Sequence, residues 1–538
     1  MAILAAYAVP HPPIILPEIG KGEERKIQLT INAYERAMKE AASFEPDTVV
    51  VASPHAVMYA DYFHIAPGEE ASGSFAQFGA PEVTVEAHYD AVLAKEIEME
   101  AGAEGIAAGP VGGRNAALDH GVMIPLRFLH AHTREFRLVR VGISGLSPLA
   151  HYNFGKCIAR AAETLGRRAV FIASGDLSHK LTPEGPYGFA PEGPRFDKAC
   201  MKHLEEGDFL KLLRMDPALY QPAAECGLRT FWMMAGVLDA KALKIKKLSY
   251  QGPFGVGYGV VSLRATREDP RRSFAERYEM LEQRAMEERR AAEDDFVRLA
   301  RSAVEAIVTA GEPAPLPSEL PPEMMERAGV FVSLKKDGAL RGCIGTFEPT
   351  AKNIAAEILQ NAASAALRDP RFPPVRADEL DELVYSVDVL TEPELVGSAD
   401  DLDAKRYGVI VESRGRKGLL LPDLAGVDTA EEQLRIARKK GGIPEDAAIR
   451  IWTAGGDFRV QQLLIWMSGS TYHATPESAV TVALAALALL AAVLPLQRWL
   501  ALLSLDAVVA TSVGVSVPAA RLVLVLLSAV LTALATLL

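Results

Sequence analysis

Three stretches decide the fold: ILAAYAVPHPP (3–13), DTVVVASPHAV (47–57) and RRAVFIASGDLSH (167–179). Each is a short run rich in Val, Ile or Ala that breaks off at Pro or Gly. Unbroken apolar runs of this length are the pattern of strands buried on both faces, as in sheets covered by helices. FRLVRVGISG (136–145) and VGYGVVSL (256–263) repeat it, and helix-prone segments such as 22–44 and 197–213 lie between the runs. The reading for residues 1–265 is an α/β domain, a central mixed sheet flanked by helices.

The chain has 538 residues, too many for one compact domain at roughly 100–200 residues each. Residues 266–295, TREDPRRSFAERYEMLEQRAMEERRAAEDD, interleave both signs of charge and read as a solvated linker helix. Residues 296–460 form the next unit. It opens with the amphipathic FVRLARSAVEAIVTAG (296–311), which ends at Gly311 before a Pro-rich stretch. A strand (329–338), LRGCIGTF (340–347), a helix (351–367), a strand (382–390) and the strand-like YGVIVESRGRKGLLLP (407–422) follow, an α+β pattern with a hairpin.

The net charge of −12 excludes a general nucleic-acid binder, which needs a basic face. Four widely spaced cysteines with no CxxC pair exclude a disulfide framework and a zinc knuckle. The first residues lack the basic start and long apolar core of a signal peptide, so the expected location is the cytoplasm. The mean hydropathy of +0.10 comes largely from residues 477–538. There AVTVALAALALLAAVLPLQ (479–497) and AARLVLVLLSAVLTALATLL (519–538) are each about the length that crosses ~30 Å of hydrocarbon. This hydrophobic helical tail reads as a membrane hairpin anchoring the chain, as an out-of-frame translation of GC-rich DNA, or as a buried oligomerisation pair.

Of eleven histidines, His11, His55 and His179 each follow a strand-like run within a few residues, where open α/β sheets bind ligands. His120 sits in LDHGVM. The remaining seven have no such placement and read as surface or packing residues. Glu225 precedes the apolar run FWMMAGVL; an acid there is favoured by the helix dipole or is functional. Two His and one carboxylate are the ligand set of non-haem Fe(II).

The pieces VPHPPIILPEIG (9–20), VVVASPHAV, ALDHGVMIPLRFL (117–129), IASGDLSHKL (172–181) with GPYGFAPEGPRFD (185–197), AAECGLRT (223–230) and GPFGVGYGVVS (252–262) occur in the order seen in the class III extradiol ring-cleavage dioxygenases. The first domain resembles these LigB-like enzymes and the Memo proteins that share their fold. The resemblance implies that His11, His55 and Glu225 are metal ligands for Fe(II). It implies further that His179 is the general base, His120 a histidine near the substrate, and Asp176 the residue that orients His179. Memo proteins use a Cys where the dioxygenases use Glu, and this chain offers both; Cys226 is the alternative ligand, with copper or another divalent metal the alternative ion. The implied reaction is extradiol opening of a catechol-like aromatic by O2. LRGCIGTFEP (340–349), residues 366–390 and QLRIARKKGGI (433–443) resemble the AMMECR family, with Cys343 and Arg341 a candidate second site. The pairing resembles AmmeMemoRadiSam systems. This implies the alternative function of a metal-binding module working with a radical SAM protein on another chain, without ring cleavage. Association into a homo-oligomer is expected from the fold.

Overall fold

The computed structural model describes residues 2–459 apart from 113–116, 337–338, 391–393, 399–401, 406, 421–426, 428, 445–446 and 455. The chain divides into two compact units, Met1–Ala285 and Met286–Leu538.

In the first unit, β1 (Ile3–Val9), β2 (Thr48–Ser53), β3 (Arg137–Gly142), β4 (Ala169–Ser174), β5 (Lys241–Gln251) and β6 (Tyr258–Glu268) form one sheet in the order β3-β2-β4-β1-β6-β5. The first four in that order are parallel, while β6 pairs antiparallel with both β1 and β5. The sheet is therefore mixed, as expected for this domain. Every residue of β2 and β4 is buried, because helices cover both faces.

The longer helices of this unit are α1 (Gln28–Ser43), α2 (Ala91–Ala103), α3 (His120–Leu129), α4 (Pro148–Thr164), α5 (Glu192–Glu206) and α6 (Leu228–Val237). Successive strand side chains point to opposite faces. Ala8, Val50, Ala52, Phe171 and Ala173 join a core with α2, α4, α5 and α6; Tyr7, Val9, Val49, Val51 and Ile172 join one with α1 and α3. The helices α4 and α6 touch backbone to backbone: a Cβ on Gly155 would lie 2.1 Å from the Met233 carbonyl oxygen.

The charged stretch forms α7 (Ala275–Ala291), which buries none of its residues. The strand β6 runs on to Glu268, past the position where the sequence suggested that the sheet ends.

The second unit contains α8 (Asp295–Ala310), β7 (Val330–Lys336), β8 (Ala339–Gly345), α9 (Ile354–Leu367), β9 (Leu383–Leu390), β10 (Glu394–Val396), β11 (Gly408–Ser413), β12 (Arg416–Leu420), α10 (Ala430–Lys440), β13 (Arg450–Ala454) and β14 (Gly456–Arg459). Two antiparallel sheets form, β8-β7-β9-β14 and β10-β13-β11-β12. The helices α8 and α9 bury Phe296, Ala303, Ile358 and Ala362 with Val332, Leu334 and Val387 of the first of these sheets. The apolar tail over 477–538 lies outside the described residues. Among the described residues no helix is long and apolar enough to cross a membrane.

Candidate metal centre

The parallel strands β1, β4 and β2 are neighbours, so their carboxyl ends open onto one edge of the sheet. His11 lies two residues beyond β1, His55 two beyond β2, and the run Asp176–His179 begins two beyond β4. Residues far apart in sequence are thus brought together by strand order, as at the ligand crevice of open α/β sheets.

His11 is buried, with its Nδ1 2.9 Å from the Ser174 hydroxyl at the end of β4. That contact turns Nε2 outward, to 3.0 Å from His55 Nε2 and 3.5 Å from Cys226 Sγ. The three donor atoms all lie within 4.8 Å of one another. His11 is buried, Cys226 half-buried and His55 exposed, so the group opens to solvent on the His55 side.

Cys226 reaches this point because two glycines meet. A Cβ on Gly175 would fall 2.1 Å from Gly227 Cα. The Asp176 backbone brackets the thiol: its N–H donates to Cys226 Sγ at 3.3 Å, and its carbonyl accepts from the Gly227 N–H at 3.0 Å.

Glu225, the ligand first expected from the resemblance, is directed elsewhere. Its Oε2 accepts from the Leu228 N–H at 2.6 Å, satisfying a free donor at the start of α6. Burial raises its pKa to about 7. Among the described residues it is the alternative, Cys226, that completes the cluster with the two histidines.

Asp176 was expected to orient His179. Its carboxylate instead accepts from the His11 backbone N–H at 2.8 Å, fixing the loop that carries His11, and burial raises its pKa to about 7. The group that orients His179 is the Ala224 carbonyl, 2.5 Å from Nδ1. Ala224 has φ 52, a left-handed conformation that non-glycine residues rarely adopt, held where it aims this carbonyl. A carbonyl only accepts, so Nδ1 carries the proton and Nε2 of His179 keeps its lone pair.

His120 begins α3, whose cap Asp119 accepts from the Val122 N–H and from the Ser53 hydroxyl at 2.6 Å. Ser53 in turn accepts from the His55 N–H at 3.2 Å. This chain of contacts brings His120 beside His55, with ring centroids 4.1 Å apart and the ring planes tilted by 35°. Phe78 lies 5.2 Å from His120, and Tyr187 5.2 Å from His179.

Burial lowers the pKa of His11 far below the ordinary histidine value and that of His120 to about 4. Burial shifts His179 downward, and partial desolvation of the ring does the same to the more open His55. The edge therefore carries four neutral imidazoles. Burial, reinforced by Asp176 and Glu225, raises the pKa of the Cys226 thiol. Imidazoles and thiolate suit Fe, Cu or Zn, and a cation at this point would deprotonate the thiol. The donor set fits a metal ion.

In the second unit, the Arg341 guanidinium is committed to Glu379, with Nε–Oε1 3.0 Å and Nη2–Oε2 2.9 Å, and to the Pro373 carbonyl. The sequence had paired it with Cys343; the structure places Arg371 there, its Nη2 donating to the Cys343 carbonyl at 3.0 Å. Ser174, Ala224 and Phe78 were missed altogether. Ser174, the last residue of its apolar run, was the most legible of these.

A helix-covered mixed sheet with histidines at adjacent strand ends defines an α/β protein with a metal-type site. Residues 5–261 match the catalytic LigB subunit of aromatic ring-opening dioxygenase, and residues 297–461 match AMMECR1. Residues 446–538 match the FecCD transport family. The chain is 42% identical over 452 residues to Protein CA_C1420 of Clostridium acetobutylicum, covering 82% of this chain and 96% of that one. A Thermotoga maritima protein is 54% identical over 155 residues, 28% of this chain and 89% of its own. The crystal structure of the uncharacterized protein PH0010 from Pyrococcus horikoshii is 36% identical, covers 30% of this chain and 87% of its own, and has a TM-score of 0.28. The chain belongs to the family that joins a LigB domain to an AMMECR1 domain.

Proposed function

We propose that the first domain is a non-haem Fe(II)-dependent extradiol-type dioxygenase that opens a catechol-like aromatic ring with O2. The observation that carries this reading is the convergence of His11 Nε2, His55 Nε2 and Cys226 Sγ beside a base-competent His179. These three residues would hold the ion. When bound, iron would act as a Lewis acid and a template for the diol oxygens and O2.

The protein's own groups have separate tasks. His179 Nε2, neutral and oriented by the Ala224 carbonyl, accepts a hydroxyl proton from the substrate. His120, also neutral at pH 7, offers a hydrogen bond beside the reacting carbon. Phe78 and Tyr187 stand nearly perpendicular to these imidazoles, with ring centroids 5.2 Å away, and add aromatic surface that suits an aromatic substrate. Both atoms of O2 enter the product, so no external reductant is consumed.

The thiol at Cys226 supports a second reading. A softer donor set suits a Memo-like metal-binding module, with copper as the alternative ion, serving a radical SAM partner. One experiment separates the two. The protein is purified without oxygen, loaded with Fe(II) and given a panel of catechols. O2 uptake with a yellow ring-opened product supports the dioxygenase; tight metal binding with no turnover across the panel refutes it and leaves the second reading.

A further inference from the structure

The loop that carries His179 is gripped by a buried carboxylate that the proposed chemistry leaves unused. Asp197 lies on α5 and is 1% exposed. Its Oδ1 accepts from the Ser178 N–H at 2.7 Å, and its Oδ2 accepts from the Tyr250 hydroxyl at 2.7 Å. One side chain thus ties a helix, the edge strand β5 and the loop beyond β4, at the residue just before His179.

The packing around Asp197 serves the same contact. Gly193 stands four residues earlier on α5, so the two face the loop together. A Cβ on Gly193 would fall 2.5 Å from the Lys180 carbonyl oxygen and 2.6 Å from Ser178 Oγ. Gly257 leaves room for the carboxylate, since a Cβ there would lie 2.0 Å from Asp197 Oδ2. The Gly257 N–H donates to the Ser178 carbonyl at 2.8 Å, and its carbonyl accepts from the Leu177 N–H at 2.9 Å. The loop is also tied to the Ala223 carbonyl, which accepts from the Ser178 hydroxyl at 2.9 Å and from the His179 N–H at 3.1 Å. The next carbonyl, that of Ala224, orients the His179 ring.

A buried carboxylate is a costly way to hold a helix against a loop, because a charge must leave water. Burial pushes the Asp197 carboxyl up to about 7 in spite of its two hydrogen bonds. An apolar side chain would fill the space without that cost. What only the carboxylate supplies is an acceptor for the Ser178 N–H, and the direction of that peptide sets the backbone that leads into His179.

We propose that Asp197 is a positioning residue for the base. By holding the Ser178 N–H it fixes the backbone of His179, keeps Nδ1–H on the Ala224 carbonyl and directs Nε2 at the substrate hydroxyl. The inference rests on His179 acting as the base in the dioxygenase reading.

Three variants of the full chain test it. Asp197→Asn keeps an acceptor for Ser178 and a partner for Tyr250. Asp197→Ala removes both, and Asp197→Val removes both while filling the space. With Fe(II) and the best substrate of the catechol panel, the Ala and Val variants are expected to lower kcat about 100-fold with KM little changed, as a misplaced reacting group does. Asp197→Asn is expected to restore most of the turnover. Fe(II) affinity is expected to be equal in all, since the hydrogen bonds of the Asp197 side chain go to Ser178 and Tyr250. Nitrogen-15 histidine NMR of the metal-free protein gives a reading without turnover. The hydrogen-bonded Nδ1 proton of His179, assigned with His179→Gln, is expected in the wild type and Asp197→Asn and lost in the Ala and Val variants. Wild-type turnover matched by those two variants, a ring proton that persists in them, or a loss of Fe(II) affinity as large as the loss of kcat overturns the inference alone. No turnover by the wild type across the panel refutes the dioxygenase reading, and the inference falls with it.

Discussion

The adjacent pair Glu225 and Cys226 supports a sharp comparison between two alanine variants. Cys226→Ala removes one of three converging donors. Losing an outer partner of a metal ligand typically costs about 10–100-fold in affinity, so losing a ligand should raise the Kd for Fe(II) by more than about 100-fold. Glu225→Ala removes something different, the 2.6 Å hydrogen bond to the Leu228 N–H. A lost capping interaction of this kind costs about 0.5–2 kcal/mol. In a domain of this size ~1 kcal/mol moves Tm by about 2–4 °C, so a drop of a few degrees is expected. Relief of burying an acid with a pKa near 7 offsets part of it. Anaerobic isothermal titration with Fe(II) reads the first effect and scanning calorimetry the second. A Glu225→Ala protein that no longer binds metal, beside a Cys226→Ala protein that binds normally, would refute the geometry-based assignment and restore the two-His, one-carboxylate set.

Two further outcomes follow from packing and burial. Gly175→Ala places a Cβ 2.1 Å from Gly227 Cα, over 1 Å short of the ordinary contact that begins near 3.4 Å. Cys226 must then move, and metal affinity should fall roughly 100-fold, as misplacement of about 1 Å does at active sites. Gly102→Ala, with open space around it, should bind metal normally, and titration of both variants with Fe(II) checks this. His151 is buried in α4, with Nδ1 3.0 Å from the Ser147 carbonyl and Nε2 accepting from the Ser144 N–H, and its pKa is lowered to about 3. The unfolded chain binds that proton more readily, so the stability it contributes is full above about pH 6.5 and lost progressively toward pH 3. The stability lost by His151→Gln, measured by urea unfolding, should therefore be smaller at pH 4.5 than at pH 7; an equal loss at both would remove His151 from the acid response.

The legible part of the molecule was the part written in local pattern. Unbroken apolar runs ending at Pro or Gly disclosed strands covered on both faces, because a doubly covered strand needs no polar alternation. The position of His11, His55 and His179 just beyond such runs disclosed one edge of one sheet. The region 329–347 read as a hairpin, and it pairs Val330–Lys336 with Ala339–Gly345. The choice between Glu225 and Cys226 was not legible, since adjacent residues share every local signal. The partner of Arg341 was equally hidden: Glu379 stands 38 positions away, and no short-range spacing encodes that contact.

By itself, then, the sequence determined the buried strands β1 to β4 and β6, and which histidines arrive at the sheet edge; the edge strand β5 carried no such apolar run. These follow from hydrophobic period and turn chemistry, which act over a few residues. Only the tertiary structure decided which side chains converge. The order β2-β4-β1 sets His11 beside His55, and the close meeting of Gly175 with Gly227 seats the sulfur. A free N–H at the start of α6 draws the Glu225 carboxylate away. Convergence of three atoms within 4.8 Å depends on backbone paths that meet in space, and chain order alone carries no record of that meeting.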